Sequence, residues 1–219
     1  MLVTVGDRVD LVVNDRARRL AAAVEAYRVS DPRLGRSVPA AASVLVPFDP
    51  LSLSWPEAAG IVAELADRIA VAERGPDGAD ADAADAATAR SPIEIEVRYG
   101  NLDGPDLAAI AAGHGLRPAD IVELHAGSVW TVLFLGFAPG FAYLGPLPPE
   151  LATARLSTPR ERVPAGSVAI GGDQTAVYPF AMPGGWRIIG RTDRTMWDLG
   201  RVPPNLLGTG DRVRFVPVR

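Results

Sequence analysis

No cysteine occurs among the 219 residues, and only two histidines do. Without thiols there is no disulfide, no thiolate nucleophile and no thiolate metal ligand. A zinc site would need His114, His125 and carboxylates together, yet no H-E-x-x-H spacing is present, so no metal is expected. Apolar runs long enough to span a bilayer are missing, and so is the basic, then hydrophobic, leader of a secretory signal. The net charge is −4, with no basic cluster, which argues against nucleic acid as a main partner. These absences lead us to expect a soluble cytoplasmic protein with neither membrane nor nucleic-acid partners. The chain also lacks G-x-S-x-G, a Walker-type G-x-x-x-x-G-K-[ST] and a dinucleotide fingerprint, and Gly171-Gly172-Asp173-Gln174 has no lysine where a phosphate loop needs one. An ATPase or hydrolase that works alone is therefore not expected, and no cofactor is expected on this chain by itself.

What the chain does have is glycine and proline, 22 and 20 residues, much of it between Phe134 and Arg191. There it is interleaved with Phe, Tyr, Trp and repeated Arg. Glycine permits positive φ and close approach, while proline fixes φ and removes a donor. Alternated with short apolar runs such as Ser167 to Ile170, this reads as short strands and shaped loops.

Three segments are expected along the chain: a small α+β domain over 1–72, a flexible acidic linker over 73–92 and a β-rich domain over 93–219. In the first, Leu2 to Val5 and Val9 to Val13 suit a strand or hairpin broken at Gly6-Asp7. Asp15 is positioned to cap a helix carrying Leu20, Val24 and Tyr27. Ser43 to Phe48 reads as a strand. Ser54 with Glu57 forms a capping box, and Ile61, Val62, Leu65 and Ile69 form the stripe of a second helix. The run Gly78 to Asp85 has no large apolar side chain to anchor it. Beyond it, Ile93 to Tyr99 alternates with period two. Helices follow from Gly104-Pro105-Asp106 to about Gly113 and from Pro118 to His125. Val129 to Leu135 and a last strand near Val213 to Val216 complete the pattern.

Several side chains could carry chemistry. His114, between two glycines at a helix end, suits a C-cap. His125 reads equally as a partly buried capping residue or as a site residue. Arg160, Arg162 and Arg191 could bind a carboxylate or phosphate-like group through guanidinium forks, or form surface ion pairs. Pro159, Pro164 and Gly190 flank them and would hold them. Gln174 could donate and accept beside them, or close a turn on its own backbone. Phe137, Phe141, Tyr143, Tyr178 and Trp186 would line a pocket or pack a core.

Four ordered strings bear on that choice. They are Gly136-Phe137-Ala138-Pro139-Gly140-Phe141-Ala142-Tyr143-Leu144-Gly145, Thr158 to Val168, Gln174-Thr175 with Tyr178-Pro179, and Pro183-Gly184-Gly185-Trp186 followed by Ile189 to Thr192. In order and spacing they resemble the allophanate hydrolase subunit 1 group, which takes in the B subunit of 5-oxoprolinase and the sensor-kinase inhibitor KipI. Two departures are local: Ala142 stands where most relatives have a second proline, and Gly172-Asp173-Gln174-Thr175-Ala176 where G-G-Q-T-G is usual.

The resemblance implies an α+β fold, with a small ferredoxin-like N-terminal domain followed by a cyclophilin-like β-barrel domain. It implies two partners, a C subunit resembling allophanate hydrolase subunit 2 and a third, A subunit. The three together would open the lactam of 5-oxoproline to glutamate, with ATP consumed by the complex. The substrate would be a small amide or lactam. Inhibition of a sensor histidine kinase, or a carboxyltransferase role in a urea carboxylase, is implied by other branches. Carried onto this chain, catalytic roles fall to His125, Arg162 and Gln174. Substrate binding falls to Phe137, Pro139, Phe141, Tyr143, Arg160, Pro164, Tyr178, Trp186 and Arg191.

Overall fold

The computed structural model describes residues 1–72 and 91–218. The linker expected over 73–92 therefore lies outside the described residues, apart from its last two positions. The chain divides into two compact units, Met1–Ala89 and Arg90–Arg219.

In the first unit, β1 (Leu2–Thr4), α1 (Leu11–Arg28), β2 (Val38–Pro39), β3 (Ser43–Leu45) and α2 (Trp55–Ala72) follow in that order. The three strands form an antiparallel sheet in the order β1-β3-β2. Val9 to Val13 is not a second strand. Asp10, in extended conformation, caps α1 by accepting the Val13 N–H at 2.8 Å, so the helix begins four residues before Asp15. Asp15 instead sits inside the first turns and pairs with Arg18 and Arg19, both at 2.6 Å. The capping oxygen at Asp10 satisfies an otherwise orphaned amide, and that outweighs the strand preference of two valines. At α2 the expected capping pair forms, with the Ser54 N–H donating to Glu57 Oε2 at 2.9 Å. Ala17, Leu20, Ala21 and Val24 of α1 meet Ala58, Val62 and Leu65 of α2 and Val44 of β3 in one buried cluster.

The second unit is a closed barrel of seven strands. These are β4 (Ile93–Tyr99), β5 (Val129–Leu135), β6 (Ala142–Gly145), β8 (Ser167–Gly171), β9 (Gln174–Val177), β11 (Arg187–Arg191) and β12 (Arg212–Val218). Around the barrel they run β11-β4-β12-β5-β6-β9-β8. The β4–β12 pair is parallel, with Phe215 opposite Ile95, and the other pairs are antiparallel. Closure leaves no long edge to pair with another chain. Helices α3 (Leu107–His114) and α4 (Pro118–Ala126) join β4 to β5. The α3 helix runs past Gly113 and ends on Gly115, whose φ of +67° suits a glycine cap. β7 (Arg160–Val163) and β10 (Met182–Gly184) pair as a separate two-stranded ribbon.

Several barrel strands are buried on both faces, and this is what positions the site. All five residues of β8 are buried. Val168 and Ile170 of β8, Val177 of β9 and Ile189 of β11 join the barrel core with Ile95, Leu144 and Phe215. Their alternates Ala169, Ala176 and Ile188 join a second cluster with Phe141, Val163, Tyr178 and Trp186. Period-two alternation thus serves two apolar layers rather than one core and solvent. Among the described residues no helix is long and apolar enough to cross a membrane.

Candidate functional site: an aromatic cleft with one cation

The second apolar layer is incompletely filled. Small residues make room for large ones: a Cβ at Gly171 would lie 2.5 Å from the Trp186 indole, and one at Gly184 would lie 2.3 Å from the Tyr178 hydroxyl. The rings pack edge to face rather than in a block, with Phe141 5.3 Å from Tyr178 and 5.8 Å from Trp186, both near perpendicular. Tyr143 stacks on Phe134 at 4.2 Å and turns its edge toward Trp186. What remains open is a cleft of about 330 Å³. Its walls are Phe137, Phe141, Tyr143, Tyr178 and Trp186, with Arg155, Pro159, Pro183, Gly184 and Gly185.

Phe137 stands at the rim in a conformation that side chains other than glycine rarely adopt, with φ of +68°. The turn that holds it runs from Gly136 to Phe141, whose backbone groups bond to each other at 3.2 Å. The residue is 65% exposed, and its ring meets that of Phe141 in a near-perpendicular arrangement at 5.3 Å. The strained turn thus places an apolar ring at the mouth of the cleft.

Arg155 supplies the charge. Its guanidinium lies 5.6 Å from the centre of the Trp186 ring, within the range of a cation–π contact. Burial raises both tyrosine pKa values, and the Arg155 charge opposes the rise at each. At Tyr178 the Trp186 backbone amide opposes it as well. Both hydroxyls therefore keep their protons at neutral pH and can donate. The cleft thus combines flat apolar faces, two hydroxyl donors and one guanidinium fork, which suits a small planar molecule bearing an oxyanion.

The sequence-predicted site residues separate into those on the cleft and those off it. Phe137, Phe141, Tyr143, Tyr178 and Trp186 come together. Pro139 and Pro164 are exposed and do not line the cleft, and neither do Arg162, exposed on β7, or the half-buried Gln174 and Arg191.

Arg160 does not present an open fork. Its Nη2 donates to Asp106 Oδ1 at 2.7 Å, while Asp106 Oδ2 accepts the Ile188 N–H at 2.7 Å. One carboxylate thereby ties the start of α3 to β7 and β11.

His125 is off the cleft too, and it is fully buried. Its ring stacks on Phe215 at 4.5 Å. Thr175 Oγ1 donates to the Ala169 carbonyl at 3.1 Å, so it accepts from His125 Nε2 at 2.9 Å. Nδ1 then accepts from the Tyr99 hydroxyl at 2.7 Å. Burial pushes the His125 pKa down to about 3 and the Tyr99 pKa up, so the whole thread is neutral. Every polar atom of the imidazole already has a protein partner.

His114 Nε2 lies 3.2 Å from Thr153 Oγ1. Among the described residues no group of three or more potential ligands could hold a metal.

Sequence reasoning missed Arg155, which stands alone in A-T-A-R-L-S, and missed the walls made by Pro159, Pro183, Gly184 and Gly185. The P-G-G-W string was a usable signal for the last three of these, since consecutive Gly before Trp marks a backbone surface against which a ring can lie.

A family model described as carboxyltransferase domain, subdomain C and D, matches residues 1–207. An Escherichia coli O157:H7 protein named as the B subunit of 5-oxoprolinase is 57% identical over 125 residues, covering 57% of this chain and 57% of that protein. Proteins of the same name from Haemophilus influenzae and Bacillus subtilis are 48% and 44% identical over 124 and 129 residues. The matched stretch spans a little over half the length of each. Among solved structures, the conserved uncharacterized protein PH0987 from Pyrococcus horikoshii is 40% identical with a TM-score of 0.58, over 99% of this chain and 93% of that one. Kluyveromyces lactis urea carboxylase has a TM-score of 0.76 over all of this chain and 21% of its own, and at 21% identity that likeness concerns the fold alone.

Proposed function

Because this chain belongs to the carboxyltransferase domain family, subdomains C and D, we propose that it is the B subunit of a multi-component 5-oxoprolinase. That enzyme opens the lactam of 5-oxoproline to glutamate at the expense of ATP. The observation that carries the reading is the name shared by relatives from three bacteria at 44–57% identity. The absence of a phosphate loop or hydrolase motif fits a protein that contributes a site surface while one of its partners binds ATP. The enzyme's C subunit, resembling allophanate hydrolase subunit 2, and its A subunit are the partners of this reading, and the cytoplasm is its place.

The same reading takes the second unit as a cyclophilin-like barrel and the first as ferredoxin-like. The order β-α-β-β-α and the sheet order β1-β3-β2 support the latter. In this assignment the aromatic cleft receives the lactam. Arg162 and Gln174, neither of which lines the cleft, act in this reading from outside it, while His125, with both ring nitrogens engaged, supports the barrel wall.

The test is ATP-dependent release of glutamate from 5-oxoproline by this chain alone, by its two partners without it, and by all three. Activity only in the complete mixture is the expected result, and a silent complex that demonstrably assembles would overturn it. The family description favours one second reading, carboxyl transfer to an amide nitrogen. Carboxylation of urea by the same complex with a biotin protein, and no 5-oxoproline turnover, would establish it instead.

A further inference from the structure

Among the cleft's lining residues Arg155 bears the one charge, and no carboxylate lines it. We propose that Arg155, together with the Tyr143 and Tyr178 hydroxyls, is a carboxylate receptor, and that the cleft takes a small planar amide bearing one carboxylate. The inference rests on the 5-oxoprolinase reading and deepens it by naming the residues that recognise the substrate's carboxylate.

Arg187 and Arg201 also lack an acidic partner among the described residues but donate to backbone carbonyls, and Arg155 is set apart by lining the cleft. Arg160 is held by Asp106, and Arg98 by Asp103 and Asp193. Away from the barrel strands, Arg117 is held by Asp120 and Arg33 by Asp31. Arg155 has no acidic partner among the described residues; it rests over the face of Trp186 instead. A cation–π contact at this distance holds the guanidinium beside the ring without using its N–H donors, which bidentate carboxylate binding needs. The chain has 22 basic residues and every one is arginine, so no lysine competes for the role.

Tyr143 and Tyr178 lie within electrostatic reach of Arg155 and of each other. Neither hydroxyl is bonded to a protein acceptor among the described residues, and burial keeps both protonated. A carboxylate entering beside Arg155 would therefore meet two further donors. The rest of the ligand would lie on the Trp186 and Phe141 rings, under the rim formed by Phe137. An unsubstituted lactam would gain the stacking and forfeit the charge-assisted bonds, so the carboxylate supplies most of the discrimination.

The test is calorimetric titration of the purified full chain, and of the assembled complex, with 5-oxoproline and with 2-pyrrolidinone, the same lactam without its carboxylate. The expected result is binding of 5-oxoproline at least about 10-fold tighter than 2-pyrrolidinone. Arg155→Gln should abolish that ratio, and Arg155→Lys should restore part of it. Tyr143→Phe should weaken 5-oxoproline about threefold. Arg214→Gln, a surface change distant from the cleft in the chain and outside its lining, should alter nothing. Equal affinity for the two lactams, an undiminished ratio in Arg155→Gln, or no binding to either chain or complex would overturn the proposal. Turnover by the complex with an unchanged KM in Arg155→Gln would refute the receptor and leave the 5-oxoprolinase assignment standing. Selective binding by the chain in a complex that turns nothing over would do the reverse.

Discussion

The thread through His125 and the aromatic cleft are built from similar parts and are used in opposite ways. Each sets a tyrosine hydroxyl and a polar partner against an aromatic ring. Along the thread, Tyr99, His125, Thr175 and the Ala169 carbonyl follow one another donor to acceptor, with every imidazole nitrogen engaged. In the cleft, Tyr143, Tyr178 and Arg155 line open space with no carboxylate among the lining residues, although the Tyr178 oxygen accepts from the Trp186 amide. A buried polar group whose bonds all close within the protein contributes to stability and specificity of the fold. One whose donors are left open is available to a ligand. By this criterion the Asp106–Arg160 pair belongs with the thread and Arg155 with the cleft.

The largest expected effect lies on the closed side. Asp106→Ala would leave the half-buried Arg160 without its carboxylate and the Ile188 N–H without its acceptor. It should cost about 3 kcal/mol, toward the low end for a buried pair because both partners retain some exposure. Urea denaturation measures it, and a loss below about 1 kcal/mol would place Arg160 among the open residues after all.

Next comes acid. The folded-state pKa of His125 is lowered to about 3 from the usual 6.5, so between those values the unfolded chain binds a proton that the folded chain does not. Stability is therefore full above pH 6.5 and falls as pH drops, by about 1.4 kcal/mol per unit once below pH 6. Between pH 6 and 4.5, where most carboxylates remain ionised, His125→Gln should flatten this slope. A wild-type slope near zero there would mean that the imidazole is accessible to protons and that the thread is not closed.

The smallest effect belongs to the rim. In Phe137→Gly, relief of the positive φ offsets the loss of a mostly exposed ring, leaving stability within about 0.5 kcal/mol. Ligand affinity should fall nonetheless. A large loss of stability with intact binding would make Phe137 a packing residue.

Some of this arrangement was legible in the sequence. The G-F-A-P-G-F-A-Y string placed Phe137, Phe141 and Tyr143 on the cleft, because a glycine- and proline-rich turn fixes where adjacent rings can go. Tyr178 and Trp186 followed from the same family pattern, and the alternation of Ile93 to Tyr99 marked a barrel strand. Partnerships between distant residues were not legible. Arg160 reads as an open fork until Asp106, 54 residues earlier, closes it. His125 reads as a site residue until Thr175, 50 residues later, occupies its second nitrogen. Arg155 has no local motif at all, and its role arises only where the fold brings it over Trp186. The start of α1 failed for a different reason. Leu11, Val12 and Val13 look like a strand by composition, and one aspartate cap decides otherwise.

The most direct test is steady-state 5-oxoproline turnover by the assembled complex carrying either Arg155→Gln or His125→Gln, with the folded fraction of each variant verified. The open-cleft account predicts a KM raised about 10-fold or more by Arg155→Gln. It predicts turnover per folded molecule near wild type for His125→Gln. An unchanged KM in the first variant together with abolished turnover in a fully folded second would contradict it, and would move the reaction from the cleft to the thread.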